Sequence, residues 1–193
     1  SHTKDIIETF WALSKELADA RHYPSIDWVT SFSGHVHTAA QWWHEQVDAS
    51  WEERRRDALA LLARDAELSR IVNLVGPEAL SSSQRWDLEG AALIKEGVLQ
   101  QSALDEVDTF CSPEKQFALL DLALTIYDQG TELVNRGVPV QELQRLPLMS
   151  RARRIKSLYS SEQLDEIEAF RSEVEQTLED LRLEYAKHEE QAG

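Results

Sequence analysis

Glycine and proline are scarce in this chain, seven and five among 193 residues, and no Asn-Gly or Asp-Gly hairpin dipeptide occurs. Stretches of alternating polarity are missing as well, which favours helices almost throughout over a sheet protein. Cys111 is the single cysteine; it has no internal disulfide partner, which fits a reducing compartment. No apolar run approaches the roughly 20 residues needed to cross a bilayer, and the first residues carry no basic-then-apolar signal pattern. The chain is therefore expected to be cytosolic, neither inserted in a membrane nor exported. Basic residues are outnumbered, 20 against 35 acidic, for a formal charge of −15; nucleic-acid affinity depends on cations displacing condensed counterions, so a nucleic-acid partner is not expected. A G-x-x-x-x-G-K-[ST] phosphate loop is also missing, and nothing here is expected to cradle a triphosphate.

What is present is the composition of a folded soluble protein, 42% hydrophobic and 28% charged. Ile6, Phe10, Leu13 and Leu17 recur at helical spacing and predict a helix over Lys4 to Ala20, stopping before Pro24. Arg21 to Ser33 reads as an extended connection, and an aromatic-rich stretch from Gln41 to Trp51 follows. Strong helix formers predict a helix from Trp51 to Val75, with Leu59, Leu62, Ala66 and Leu74 among its apolar positions, ended by Gly76-Pro77. Ser81, Ser82 and Ser83 offer N-caps for a helix from about Gln84 to Gln101, with Leu88, Ala91, Ala92 and Leu99 on its apolar side. Ser112-Pro113-Glu114 starts another, reaching about Arg136, because proline at the first helical position loses no needed hydrogen bond. A short helix near Val140, an interruption at Pro147, and a last helix from about Ser161 to His188 complete the chain. Leu164, Ile167, Phe170, Val174, Leu178, Leu181 and Tyr185 line the packed face of that last helix, while Glu173, Glu175, Glu179 and Asp180 form a solvated one.

No self-contained active site emerges, and no catalytic residue is assigned. His35-x-His37 with His44 nearby has imidazoles but no further cluster to complete four ligands, so surface histidines are the better reading. A di-iron bundle needs two Glu-x-x-His pairs; the nearest approach is Asp19-Ala20-Arg21-His22. Cys111 lacks a local activating partner and reads as a small core residue. Trp42, Trp43 and Trp51 anchor packing, whereas Tyr23 and Phe110 sit in loops or at element ends, where a side chain can serve a ligand.

Arg21-His22-Tyr23-Pro24-Ser25-Ile26-Asp27-Trp28 and the run Leu99 to Ser112 (LQQSALDEVDTFCS) together resemble the catalytic A subunit of V/A-type ATPases. Phe10-Trp11-Ala12-Leu13 and Ile71-Val72-Asn73-Leu74-Val75-Gly76-Pro77-Glu78-Ala79-Leu80 extend the resemblance, in the family's order and spacing, over essentially all of the chain. It implies an all-α C-terminal helical bundle domain at 34–193, preceded at 1–33 by the trailing edge of a nucleotide-binding domain whose phosphate loop, catalytic carboxylate and metal site lie upstream. The adenine side of the pocket would be formed by Tyr23, Phe110, Leu104, Gln100 and Gln101. Where many relatives carry an aromatic, Leu104 would forgo stacking worth roughly 0.5–1.5 kcal/mol.

The same resemblance assigns the turn Gly76, Pro77, Glu78, Ala79, Leu80 and Ser81 to contact with a central rotor, through shape and Leu80 more than through charge; a plain helix–helix turn is the less favoured local alternative. Implied partners are the central-stalk rotor subunits and the B subunit, with ATP or ADP and magnesium in the parent enzyme and no cofactor in this piece. The implied location is cytoplasmic, peripheral to a membrane. The piece alone is expected to be inactive. Its N-terminal apolar face (Ile6, Phe10, Trp11, Leu13, Leu17), without the sheet it would cover, is expected to promote self-association. A rival reading from periodicity alone is a free-standing helical adaptor without a nucleotide link.

Overall fold

The structure is a computed structural model that describes residues 43–99 and 112–192. Among the described residues all regular structure is helical. In chain order the elements are α1 (Trp51–Val75), a 3-10 turn (Pro77–Ala79), α2 (Ser82–Ile94), which runs on into a π-helical turn (Lys95–Leu99), α3 (Pro113–Asn135), α4 (Val140–Arg145), α5 (Pro147–Arg153), α6 (Ile155–Leu158) and α7 (Leu164–Ala192). No helix among the described residues is long and apolar enough to cross a membrane.

Local chemistry fixes the helix starts. Ser81 accepts from the backbone N–H of Gln84 while the Gln84 side chain accepts from the Ser81 N–H at 2.9 Å, a reciprocal capping box that opens α2. Ser112 does the same single service for Lys115 at 3.2 Å, with Pro113 at the first position of α3. Pro147, expected to interrupt the chain, instead begins α5, for the same reason: its missing N–H falls where no intrahelical partner exists. Beyond α3, Gly137 takes φ +91° and reverses the chain, with Gly137 N–H donating to the Val134 carbonyl at 3.0 Å.

The core lies where α1, α2, α3 and α7 meet, with the short helices closing one side. Leu61, Leu62, Trp86, Leu93, Ile94, Leu119, Leu122, Ile126, Leu143, Ile167, Phe170 and Val174 belong to one buried cluster. On α2 the buried side is Trp86, Gly90, Ala91, Leu93 and Ile94, rotated from the expected one, since Leu88 and Ala92 are only half-buried. Between α2 and α3 two glycines receive two rings. A Cβ on Gly130 would stand 2.0 Å from Trp86 Cζ2, and one on Gly90 would stand 2.3 Å from Tyr127 Cδ2. The Trp86 indole N–H donates to the Tyr127 carbonyl at 2.9 Å.

Charges tie the helices across the edges of this core. Asp121 of α3 accepts from Arg54 of α1 at 2.7 Å and from Arg171 of α7, so a single carboxylate joins three helices. Arg151 reaches Glu173 at 2.7 Å with its guanidinium over the Phe170 ring at 4.2 Å, while Glu173, Glu179 and Asp180 are exposed, as the acidic face of α7 was expected to be. Glu175 pairs with Arg171 and Glu179 with Arg182 within α7 itself, one turn apart along the helix.

Candidate functional site

The segment joining α1 to α2 carries the most distinctive surface among the described residues. The last buried residue of α1 is Leu68, so residues 69–75 continue the helix for about 10 Å, at about 1.5 Å per residue, with no buried side chain. Leu74 is 84% exposed and Val75 65%. Gly76 ends the helix at φ +90°, its N–H donating to the Val72 carbonyl at 2.9 Å, a geometry that L side chains rarely adopt. The 3-10 turn follows, with Leu80 N–H bonded to the Pro77 carbonyl at 3.2 Å and the Arg85 guanidinium capping the Leu80 carbonyl at 3.1 Å. From Asn73 to Ser83 the only charged residue is Glu78. The result is a tip of apolar and small side chains joined by backbone hydrogen bonds to the two helices that flank it.

Within this tip Pro77, Glu78, Ala79 and Ser81 are exposed, while Leu80 is only 3% exposed. Leu80, the residue expected to lead any contact, turns inward, because the 3-10 turn swings its side chain back toward the bundle before the capping box begins. Leu74, which the sequence groups with the apolar positions of α1, takes the outward role instead. Ala66 is likewise exposed rather than packed. Periodicity does not separate these cases. Val75 continues the seven-residue spacing of Leu61 and Leu68 and would be buried if a neighbouring helix reached that far.

A second region lies at the end of α2, where the helix widens into the π turn and Val98 and Leu99 are buried, immediately before residue 100. Tyr23, Gln100, Gln101, Leu104 and Phe110, together with His35, His37 and Cys111, lie outside the described residues. His44 is exposed. Among the described residues no group of three His, Cys, Asp or Glu side chains is arranged to hold a metal ion.

One polar cluster is not legible from the sequence. Tyr127 donates to Asp87 at 2.7 Å, and Arg64 stands 3.2 Å from the other carboxylate oxygen. Burial, then the adjacent Asp87 carboxylate, pushes the Tyr127 phenol up to about 12. Near the start of α1, Trp43 and Trp51 stack with centroids 5.1 Å apart, as anchoring aromatics should, and the Arg55 guanidinium lies over Trp51 at 5.8 Å. Burial lowers the pKa of Arg55, opposed by Glu52.

Fold and tip together define an all-α bundle domain with a projecting, nearly uncharged helix–turn–helix end. Residues 40–144 match the family described as the C-terminal domain of V and A type ATP synthase. The chain belongs to that family. It is 59% identical over 187 residues to the V-type ATP synthase alpha chain of Nitrosococcus oceani, covering 97% of this chain and 32% of that one. It is 41% identical over 180 residues to the A subunit of the A-type ATP synthase of Methanopyrus kandleri, covering 93% and 30%. With the corresponding protein of Ignicoccus hospitalis the identity is 43% over 170 residues, covering 87% and 28%. The chain spans about a third of the length of these relatives.

Proposed function

We propose that this chain is the C-terminal helical part of the catalytic A subunit of a rotary ATPase, working mechanically on a nucleotide pocket whose phosphate chemistry lies elsewhere in the parent protein. The observation that carries the reading is the 59% identity to a V-type ATP synthase alpha chain over 97% of this chain. Residues 34–193 form the bundle domain and 1–33 the end of the nucleotide-binding domain. Tyr23, Phe110 and Leu104, with Gln100 and Gln101, complete the adenine side. ATP or ADP with magnesium is bound by the parent enzyme, which couples hydrolysis or synthesis to ion transport at the periphery of a membrane. Its neighbours there are the central-stalk rotor subunits and the B subunit. Family membership favours this over a free-standing adaptor.

The tip meets the rotor through Leu74, Val75, Pro77 and Ala79. A sliding contact that passes through several registers is served by an apolar, weakly charged surface, because a fixed ion pair would have to be desolvated and broken at each step. That 73–83 holds one charge in a chain with 28% charged residues supports the reading.

Two measurements test it. In the complete ATPase, Tyr23→Ala is expected to weaken nucleotide binding more than Leu104→Ala, since an aromatic face offers stacking that leucine lacks; equal or reversed losses remove Tyr23 from the adenine wall. The 193-residue chain by itself is expected to show no turnover and no micromolar binding of Mg-ATP by calorimetry, because the phosphate-binding loop is not among its residues. Tight binding would relocate the chemistry into this chain.

A further inference from the structure

Past Leu62, α1 has little apolar grip on the bundle: among residues 63–75 Leu68 alone is buried. Hydrophobic contact is non-directional, so a single leucine does little to stop the helix turning about its own axis. Two polar contacts act there instead, on adjacent residues. Arg64 Nη1 stands 3.2 Å from an Asp87 carboxylate oxygen of α2 and 3.4 Å from the Tyr127 hydroxyl of α3. Asp65 pairs with Lys95 of the π turn at 2.5 Å. Successive helical residues point about 100° apart, so the two pairs hold α1 from different directions, and it cannot turn without stretching them. The Asp87 anchor is itself fixed. Its side chain is 8% exposed and accepts from the Tyr127 hydroxyl at 2.7 Å, and the Tyr127 ring lies so close to Gly90 that a Cβ there would meet Cδ2 at 2.3 Å.

We infer that Arg64 and Asp65 are positioning residues for the tip: by gripping Asp87 and Lys95 they fix the rotation of α1 about its axis, and so the direction in which Leu74 and Val75 face a partner. The role rests on the rotor-contact reading proposed above. Its physical basis is the geometry of a helix. A side chain lies about 5–6 Å from the helix axis, so a rotation of about 30° carries Leu74 sideways by about 3 Å. Neighbouring side chains on the face of a partner helix are about 5–6 Å apart, and such a shift is half the step between them. Arg64 lies about 15 Å along α1 from Leu74 and acts on it only through the orientation of the helix they share.

The test uses the complete ATPase and reads two quantities, the rate of ATP hydrolysis and the number of ions moved per ATP. Arg64→Gln is expected to lower the ions moved per ATP by about twofold or more and to leave KM for ATP within about twofold, since the contact bears on transmission and not on substrate binding. Arg64→Lys, which keeps a cation within reach of Asp87, is expected to recover part of the loss. Both side chains of the second pair can be exchanged: Asp65→Lys alone is expected to uncouple, and Asp65→Lys with Lys95→Asp to restore the ratio in part. The Arg64 side chain is 50% exposed, so Arg64→Gln is expected to leave the melting temperature of the 193-residue chain within about 4 °C of the parent, which separates orientation from folding. Should Arg64→Gln fail to assemble, Lys95→Gln carries the same test on the other pair. An unchanged ratio of ions to ATP overturns the inference, whether hydrolysis is normal or falls together with transport. Leu74→Asp measured alongside separates the two levels. If Leu74→Asp uncouples while Arg64→Gln and Lys95→Gln do not, the positioning role alone falls; if none of them does, the rotor-contact reading falls with it.

Discussion

Replacing Gly130 by alanine puts the packing between α2 and α3 to a direct test. At an exposed helical position the exchange stabilises by about 1 kcal/mol, the difference in helix propensity. At Gly130 the added methyl would lie 2.0, 2.5 and 2.9 Å from three atoms of the Trp86 ring, against a comfortable carbon–carbon separation of about 3.5 Å or more. The ring must retreat by more than an ångström, and it has little freedom to do so. Trp86 is 1% exposed, and its indole N–H is committed to the Tyr127 carbonyl at 2.9 Å. Overpacking of this kind costs about 1–3 kcal/mol, and a lost indole hydrogen bond adds about 1 kcal/mol. After the propensity gain, a net loss of about 1–3 kcal/mol is expected. For a chain of this size that lowers Tm by about 2–12 °C. Thermal and urea unfolding of the 193-residue chain, followed by far-ultraviolet circular dichroism, give the number. A double variant Gly130→Ala/Trp86→Phe, which removes the ring atoms in conflict, should be more stable than the sum of the two single changes implies. A Gly130→Ala protein as stable as the parent, or more so, would refute the close fit of ring and glycine.

Further expectations follow from the same structure. Asp121→Asn should destabilise by about 2 kcal/mol in urea unfolding; a broken buried pair costs about 3–5 kcal/mol, but Arg54 keeps Asp128, Arg171 keeps Glu175, and both guanidinia retain water. Tyr127→Phe should cost about 1 kcal/mol at neutral pH, and the difference from the parent should shrink above about pH 10. A phenol whose folded pKa is raised adds stability that is complete below its unfolded value near 10 and is lost as pH rises through about 12, so a pH-independent difference would contradict the Asp87 contact. Leu80→Asp should cost at least about 3 kcal/mol of folding stability, whereas Leu74→Asp should stay within about 0.5 kcal/mol yet impair coupling of hydrolysis to ion transport in the assembled enzyme; wild-type coupling with full incorporation would reduce the tip to a connector. Sedimentation of the chain with and without residues 1–30 should show association only in the longer form, and a monomer in both would mean that the N-terminal apolar residues are covered within the chain.

Where helices begin and end is written largely in local chemistry. Trp51–Val75 has the bounds that its helix formers and Gly76-Pro77 imply, and Ser112-Pro113 starts α3 where a cap and a first-turn proline must. The apolar positions of α7 are legible because a 29-residue helix repeats its pattern often enough to fix its phase, and Ile167, Phe170, Val174 and Leu178 are indeed buried. The family is legible too, because several spaced motifs agree in order. On α2 the sequence misleads about phase, since 13 residues with Gly90 in the buried face give too few repeats and a glycine carries no apolar signal although its neighbour's ring fills the space.

What the tertiary structure alone decided is which apolar residues have something to pack against. Leu80 and Leu74 sit in the same run of sequence, and propensity and hydropathy treat them alike. One is buried because the 3-10 turn carries it back under the bundle, and the other is exposed because α1 outruns its neighbours by about two turns. The π turn has the same origin. Nothing in Lys95-Glu96-Gly97-Val98-Leu99 announces it; it exists because Asp65, Arg153 and the Ala152 carbonyl, contributed by distant parts of the chain, converge on it. Local sequence determines a helix through bonds between near neighbours along the chain, whereas exposure and register depend on contacts between residues far apart in sequence, which only folding brings together.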